Sequence, residues 1–339
     1  MKIVKVVLVA MLSAIVLFNF GCGKKEAQKK GRLHVGLVFD VGGRGDKSFN
    51  DAAYAGLERA KDSLGITYEY IEPAGAGGGD REAGLRQLAS KKIPLIFGVG
   101  FMFSDDITKI AKEFPDLHFG CIDYTVKPGE TIPPNLVALK FKEEEGSFLV
   151  GVIAGLMTKT SKVGFVGGMD IPLIHKFEAG YKAGVLAANP QCQVLVGYAG
   201  LTGEAFKNPG KGKELALSQY NQGADIIFHA SGSTGLGVFE AAREKNKFAI
   251  GVDSDQWNEA PGFVLTSMIK RVDVAIFETI KSELEGKFTG GVKELGLKEN
   301  GVGYVYDDNN RHLIPEDVIK KVEEFKSRII AGEIKVPAN

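Results

Sequence analysis

The chain has 339 residues, and its 42 lysines and arginines balance 42 aspartates and glutamates, so the formal net charge is zero. This balance excludes a broad basic field of the kind that attracts nucleic acid, and no nucleic-acid partner is expected. The length exceeds one ordinary hydrophobic core and predicts two domains.

The N-terminal segment has the pattern of a targeting sequence. Lys2 and Lys5 supply a positive start, and an apolar run over 6–20 follows. This run is too short to span a bilayer comfortably. The segment is therefore excluded from the predicted fold.

Cys22 follows a glycine at the end of the apolar run. A small residue directly before a cysteine resembles the lipobox of bacterial lipoproteins, although Asn19 and Phe20 stand where leucine and a small residue are usual. The resemblance implies a signal peptide over 1–22, acylation of Cys22 and a flexible tether over 23–32. A plain secretory signal or an uncleaved anchor is the alternative.

Strand and helix patterns alternate along the rest of the chain. Strands are predicted over 33–40, 68–71, 95–99, 119–123, 136–141, 163–166, 193–199, 226–229, 248–252 and 265–269. Helices are predicted over 49–64, 81–90, 106–113, 143–157, 174–189, 210–222, 235–245, 272–284 and 315–330, and 286–305 is expected to form a strand or hairpin. This rhythm predicts an α/β fold with parallel sheets wrapped by helices.

Local signals refine this pattern. Ser48 is a candidate N-cap for the first helix and Gly65 a candidate C-terminal stop. Three prolines within 126–135 indicate a crossing between domains. Cys121 and Cys192 each lie in an apolar run and are interpreted as buried free thiols, with a disulfide between them as the open alternative. The five histidines are scattered, so no metal site and no cofactor are expected.

The stretch 36–51 combines a buried strand, a glycine loop and a helix start. Ligands of open α/β sheets bind beyond the carboxyl ends of the strands, where Asp40, Asp46, Phe49 and Asn50 are expected. An aromatic ring beside carboxylates and an amide suits a small polar ligand with a flat ring. Asp40 either binds the ligand or orders the glycine loop.

A phosphate site in the same loop is disfavoured. A helix N-terminus attracts anions, but the glycines at 42–45 lack the spacing of the nucleotide-binding fingerprints, and Asp46 and Asp51 would repel phosphate. A nucleoside or free base is therefore preferred over a nucleotide.

Two further strand ends carry acidic residues. Asp123 is a candidate ligand contact by the same edge rule, or alternatively a turn-former or helix cap. Asp253 and Lys270 suit a ribose, because vicinal hydroxyls bind well to one carboxylate and one ammonium. Asp255 is the alternative to Asp253. Gly232 could offer a backbone group at close range.

Three motifs, at 40–51, 251–256 and 264–272, resemble the basic membrane protein family of substrate-binding lipoproteins of ABC transporters, with a branch resembling the purine nucleoside receptor of spirochaetes. The similarity extends over almost the whole mature chain. It implies a type I periplasmic-binding-protein fold, in which two Rossmann-like lobes with parallel sheets are joined by a hinge. The expected boundaries are 33–132 plus 262–292 for the N-terminal lobe and 133–261 plus 293–339 for the C-terminal lobe.

The resemblance also implies a ligand and its contacts. The expected ligand is a nucleoside of the adenosine, guanosine or inosine class, whose base would lie between the rings of Phe49 and Phe206. Asp46 and Asn50 would read the base edge, and Met169 would pack against the base. Asp253 would take the 2′ and 3′ hydroxyls of the ribose with support from Lys270.

The implied protein is a monomeric, lipid-anchored receptor that faces the periplasm or the cell exterior and delivers its ligand to an ABC permease. An enzyme such as a nucleoside hydrolase is disfavoured, because no obvious nucleophile or metal cluster accompanies the carboxylates. The other alternative is a sugar or signal receptor of the same fold without a transport role.

Overall fold

The computed structural model describes residues 32–73 and 78–339. The signal peptide expected over 1–22, the acylation of Cys22 and nearly all of the tether expected over 23–32 lie outside the described residues. The fold is therefore that of the chain after the expected anchor.

Strands in the described chain assemble into two six-stranded sheets. They are β1 (His34–Val38), β2 (Thr67–Ile71), β3 (Leu95–Val99), β4 (His118–Ile122), β5 (Leu136–Phe141), β6 (Lys162–Met169), β7 (Gln193–Gly200), β8 (Ile226–Ala230), β9 (Phe248–Asp253), β10 (Val264–Lys270), β11 (Gly291–Leu295) and β12 (Val302–Tyr304). The first sheet has the order β11-β5-β4-β3-β1-β2 and the second β12-β10-β9-β8-β6-β7. Pairing is parallel except between β10 and β12.

Helices connect these strands and cover both sheets. They are α1 (Phe49–Leu64), α2 (Gly78–Ser90), α3 (Ser104–Glu113), α4 (Glu143–Met157), α5 (Pro172–Ala188), α6 (Pro209–Asn221), α7 (Gly235–Lys245), α8 (Val272–Leu284) and α9 (Glu316–Ile330). The α/β prediction is confirmed, and α1, α4, α7 and α8 have the predicted bounds. Gly65 ends α1 in the left-handed conformation and donates its backbone N–H to the carbonyl of Lys61.

The two sheets define two lobes, and the chain passes between them three times. The passages follow β5, β10 and β11, because α4 packs on α5 of the second lobe while α8 packs on α1 of the first. Sheet membership thus differs from the expected boundaries: β5 pairs with β4 in the first lobe, and β10 pairs with β9 in the second.

Two local expectations differ from the structure for the same reason. The proline-rich stretch 126–135 is a connection within the first lobe, between β4 and β5. The segment 286–305 contains strands, as expected, but β11 and β12 do not form a hairpin with each other, because they belong to different sheets. Proline and glycine mark where a strand ends, but they do not say which sheet the next strand joins.

Cys121 and Cys192 are buried free thiols, as expected. Each belongs to the core of its own region, at 0% and 5% exposure. Burial raises the pKa of both thiols above the ordinary value. They are therefore packing residues with little thiolate character.

Helices α4 and α5 meet through glycines at backbone contact distance. A Cβ atom at Gly184 would stand 2.0 Å from the carbonyl oxygen of Phe148, and one at Gly151 would stand 2.3 Å from that of Tyr181. Any side chain at these positions would push the helices apart. This close contact fixes the position of α4, the helix that follows the first passage between the lobes, against α5.

We expect Gly184→Ala to lower the free energy of unfolding by about 2–3 kcal/mol, because overpacking against a backbone carbonyl outweighs the better helix propensity of alanine. The measurement is the midpoint of urea unfolding. Gly303→Ala is the matched control, since a Cβ there meets no atom within 4 Å. Equal midpoints for the two variants would contradict the proposed helix contact.

Candidate functional site

A cavity lies between the two lobes at the carboxyl ends of their strands, and about 590 Å³ of space there, which includes open solvent at its mouth, is free of protein atoms. Nine of the ten binding residues expected from the sequence line it. They are Asp40, Asp46, Phe49, Asn50, Asp123, Phe206, Gly232, Asp253 and Lys270. The edge rule and the family resemblance together therefore located the cavity, whereas the contacts with a ligand stay predictions.

Met169 is the exception, since it is absent from the described lining. It ends β6, and the ring of Phe206 covers the neighbouring backbone so closely that a Cβ at Gly168 would lie 2.2 Å from a ring carbon. Asp255 also lies outside the lining, with an exposed side chain that accepts a hydrogen bond from the backbone N–H of Trp257. Of the two alternatives, Asp253 therefore faces the cavity.

The glycine loop is organised by Asp46. Its carboxylate accepts the backbone N–H groups of Ser48 (2.9 Å), Asn50 (2.9 Å) and Asp51 (3.1 Å), and also the side-chain amide of Asn50 (3.0 Å). Ser48 stands at the N-cap position, but its side chain does not cap the helix. Asp46 performs that role, and its four donors occupy the lone pairs expected to read a base edge.

Asp40 both orders the loop and lines the cavity. Its Oδ1 accepts the backbone N–H of Val41 at 2.8 Å, and its backbone N–H donates to the side-chain oxygen of Asn50 at 3.1 Å. The carboxyl rests on Gly100, where a Cβ would lie 2.0 Å from Oδ2. Burial raises the pKa of Asp40 from 3.8 to about 7, so near neutrality this group can donate as well as accept.

Lys270 carries a buried positive charge at the second passage between the lobes. Its Nζ lies 2.7 Å from Asp123 Oδ2 and 3.0 Å from Glu143 Oε1, and the side chain is 2% exposed. Burial alone would lower the pKa of Lys270, but the charges of Asp123, Glu143 and Asp253 raise it above the ordinary value. The ammonium is therefore charged at physiological pH.

Asp123 and Asp253 occupy corresponding places in the two lobes, following β4 and ending β9. Both adopt the left-handed conformation, with φ of 61° and 65°, which aspartate tolerates better than most residues. Burial raises the pKa of Asp253 to about 7. Its Oδ2 accepts a hydrogen bond from the hydroxyl of Ser48, which joins the second lobe to the first.

Sequence reasoning missed several residues at the site. Phe177 lines the cavity with its ring centroid 5.5 Å from Lys270 Nζ, close to the 5.1 Å of Phe49. Ile174 joins it on the same face of α5. The edge rule applied to the turn after β6 would have found these residues. Glu143 and Lys176, which belong to the ion cluster around Lys270 and not to the described lining, were missed as well, because glutamate and lysine are rarely buried unless they are paired.

The described residues hold no group of three or more histidines, cysteines, aspartates or glutamates arranged to bind a metal ion. What the site offers is a pair of phenyl rings on opposite lobes, Phe49 and Phe206, beside buried carboxylates and one ammonium. This arrangement can hold a polar ligand with a flat ring and enclose it when the lobes close.

A solved structure with this architecture is a solute-binding protein of an ABC transporter system from Aeropyrum pernix K1. The match covers 91% of this chain and 94% of that chain, with a TM-score of 0.81 and 31% identity. Two parallel-dominated sheets with a cavity between them define a two-lobed substrate-binding protein of the type I periplasmic-binding-protein class. The fold implied by the sequence resemblance is thereby confirmed.

The family follows from the sequence comparison. The model of the Bmp family, described as PnrA-like ABC transporter substrate-binding proteins, matches residues 33–339. The chain belongs to this family. A CD4+ T-cell-stimulating antigen of Listeria monocytogenes is 38% identical over 97% of this chain and 96% of its own length. An uncharacterized lipoprotein of Pyrococcus abyssi is 35% identical over 94% of this chain and 84% of its own length.

Membership implies a ligand and a membrane permease as partners. The lipoprotein name of a relative, together with the substrate-binding family, indicates an extracytoplasmic, membrane-anchored protein. Among the residues that the structure describes, none of the helices has both the length and the apolar character needed to cross a bilayer.

We expect Lys270→Met to lower the free energy of unfolding by about 3 kcal/mol or more, because the buried Asp123 loses its counter-charge. Urea unfolding at pH 7 is the measurement. The control is Lys287→Met, whose side chain is 74% exposed and pairs with Glu285; because water already solvates this charge, the free energy of unfolding should stay close to that of wild type. Equal effects would contradict a buried charge at Lys270.

The pH dependence of stability should respond to Asp253→Asn. The pKa of Asp253 is about 7 in the folded protein against an ordinary 3.8, so the folded state binds the proton more tightly. The contribution of the protonated Asp253 to stability is therefore fully present below pH 4 and is lost as the pH rises through 7. Relative to wild type, the variant should therefore gain roughly 2–4 kcal/mol of unfolding free energy between pH 4 and pH 8.

The matched control is Asp255→Asn, at an exposed position two residues further on. That variant removes a carboxylate that does not belong to the described cavity lining. The interpretation of Asp253 fails if its variant differs from wild type by an amount that is independent of pH.

Proposed function

We propose that this protein captures purine nucleosides between its two lobes and delivers them to an ABC permease. The observation that carries the proposal is that one phenyl ring from each lobe, Phe49 and Phe206, lines the same cavity. Two rings on opposite lobes suit a flat base, and stacking on aromatic side chains contributes about 1–3 kcal/mol per base.

The polar residues that line the cavity favour a sugar beside the base. Asp253 and Asp123 bring carboxylates from the two lobes, and Lys270 pairs with Asp123 while its charge also acts on Asp253. A carboxylate accepts hydrogen bonds from vicinal hydroxyls while an ammonium donates to their oxygens. In this assignment Asp253 holds the ribose and Lys270 keeps the carboxylates in place, with Gly232 offering backbone at close range.

The base edge is assigned to Asp40 and Asn50. The carboxylate of Asp46 is occupied by the loop and the helix start, so Asp46 acts by holding the amide of Asn50 in position. Asp40, with a pKa of about 7, can donate or accept at a purine edge.

The charge balance favours a nucleoside over a nucleotide. The described lining contains four aspartates and one lysine, and that lysine already faces Asp123 and Glu143. A phosphate would therefore meet more negative than positive charge. The proposal includes a monomeric receptor held at the membrane by acylation of Cys22, with the ligand released unchanged.

The first test is mass spectrometry of small molecules released from the chain expressed from Gly23 onward and then denatured. Calorimetric titration with adenosine, guanosine, inosine, uridine and ribose follows. An intact purine nucleoside bound at micromolar or lower Kd is expected. Release of separate base and ribose would indicate a hydrolase, and binding of ribose alone would indicate a sugar or signal receptor of the same fold.

Phe49→Ala should weaken purine nucleoside binding by about 10- to 100-fold, because one stacking face of roughly 1–3 kcal/mol is lost. Phe288→Ala is the control, since that half-buried ring stacks on His118 with centroids 4.1 Å apart and does not belong to the described lining. Unchanged nucleoside affinity in Phe49→Ala would contradict the base assignment.

A further inference from the structure

Three buried polar side chains lead from the cavity wall to the opposite lobe. Ser231 lines the cavity, and its Oγ lies 3.3 Å from His229 Nδ1. His229 Nε2 lies 3.0 Å from Gln256 Oε1, and Gln256 Nε2 donates to the backbone carbonyl of Lys47 at 2.9 Å. The three side chains are at most 1% exposed.

The hydrogen positions in this chain of hydrogen bonds are determined by the acceptor role of the Gln256 side-chain oxygen. Gln256 Oε1 accepts the backbone N–H of Val252 at 2.8 Å, which identifies it as the amide oxygen. His229 Nε2 must then carry the hydrogen, so Nδ1 is the acceptor and the hydroxyl of Ser231 donates to it. Burial lowers the pKa of His229 to about 4, so the ring is neutral and only one nitrogen is protonated.

This order restricts what Ser231 can do for a ligand. A hydroxyl has one hydrogen and two lone pairs. Because the hydrogen points at His229, Ser231 can only accept a hydrogen bond from a molecule in the cavity. It therefore selects a ligand that places a hydroxyl or N–H group at this part of the wall.

Two glycines leave the space that the side chains of His229 and Gln256 occupy. A Cβ at Gly235 would lie 2.0 Å from the ring of His229, and one at Gly251 would lie 2.7 Å from Gln256 Oε1. The backbone N–H of Gln256 also donates to Ser267 Oγ at 3.0 Å. The orientations of the imidazole and the amide are therefore held by packing as well as by hydrogen bonds.

The last hydrogen bond of the series, from Gln256 to Lys47, depends on lobe closure. Lys47 belongs to the loop before α1, which carries Phe49, whereas Gln256 follows β9 in the second lobe. The hydroxyl of Ser254 donates to the carbonyl of Ser48 at 3.4 Å beside it. Opening the lobes would break the bond between Gln256 and Lys47.

We propose that Ser231, His229 and Gln256 form a relay in which Ser231 serves the ligand as a hydrogen-bond acceptor and Gln256 ties that orientation to lobe closure. The relay rests on the proposed capture of nucleosides in the same cavity. Ser231 is a specificity-determining contact, and His229 and Gln256 are positioning residues. Ligand binding and lobe closure then stabilise each other.

The test compares Gln256→Met with Gln219→Met in the protein purified in detergent, using stopped-flow measurement of inosine association and release. Gln256→Met should release inosine about tenfold faster, because a hydrogen bond of the closed state is lost, with association within twofold of wild type. Gln219 is the matched control: it is buried in the same lobe, donates to the carbonyl of Phe165 and is absent from the described lining. Gln219→Met should lower Tm but leave the release rate within twofold.

A double-mutant cycle with Ser231→Ala separates the relay from independent contacts. If the residues act through one chain, Ser231→Ala should accelerate release by a smaller factor in the Gln256→Met protein than in wild type. The relay is overturned if the acceleration factors of the two single variants multiply in the double variant. It is also overturned if Gln256→Met releases inosine at the same rate as Gln219→Met. Neither outcome affects the proposed nucleoside binding. If Gln256→Met does not fold, Ser231→Ala alone must still accelerate inosine release. Absence of nucleoside binding in wild type overturns the proposed function together with the relay.

Discussion

The buried ammonium of Lys270 is the contact on which the arrangement of the two lobes depends. It ends the last long strand of the second lobe and faces Asp123 from the first lobe and Glu143 from the helix after the first passage. Removing charges from water is costly, and only close, complementary partners offset that cost. Lys270, Asp123 and Glu143 can meet only when the chain passes between the lobes in this arrangement. The ion cluster therefore specifies how the lobes are joined and also stabilises them.

The helix pair α4–α5 holds this cluster in place. Glu143 opens α4, and Lys176 on α5 donates both to Glu143 and to the carbonyl of Phe141. The nearby glycine contacts bring the two backbones so close that sliding is opposed by steric overlap. Burial would raise the pKa of Glu143, but Lys270 and Lys176 hold it below its ordinary value, as a tightly positioned ion pair requires.

The loop before α1 belongs to the first lobe but takes several of its hydrogen bonds from the second. Asp46 organises the loop from within, whereas Asp253 accepts from Ser48 and Gln256 donates to Lys47 across the cleft. The conformation that presents Phe49 to the cavity is therefore coupled to closure. A binding protein needs this property, because the closed state must be favoured when the ligand is present.

The amino-acid sequence by itself determined the alternation of strands and helices, the bounds of helices such as α1, and the edge where polar residues such as Asp40 and Asp253 gather. These depend on periodicity, capping and glycine stops, which act between near neighbours. Only the tertiary structure decided that β5 belongs to the first sheet and β10 to the second, because buried parallel strands have similar apolar sequences and their pairing is long-range. It also decided that Asp46 rather than Ser48 caps α1 and that Gln256 spans the cleft, since a polar side chain's partner depends on which distant backbone the fold brings within hydrogen-bond distance.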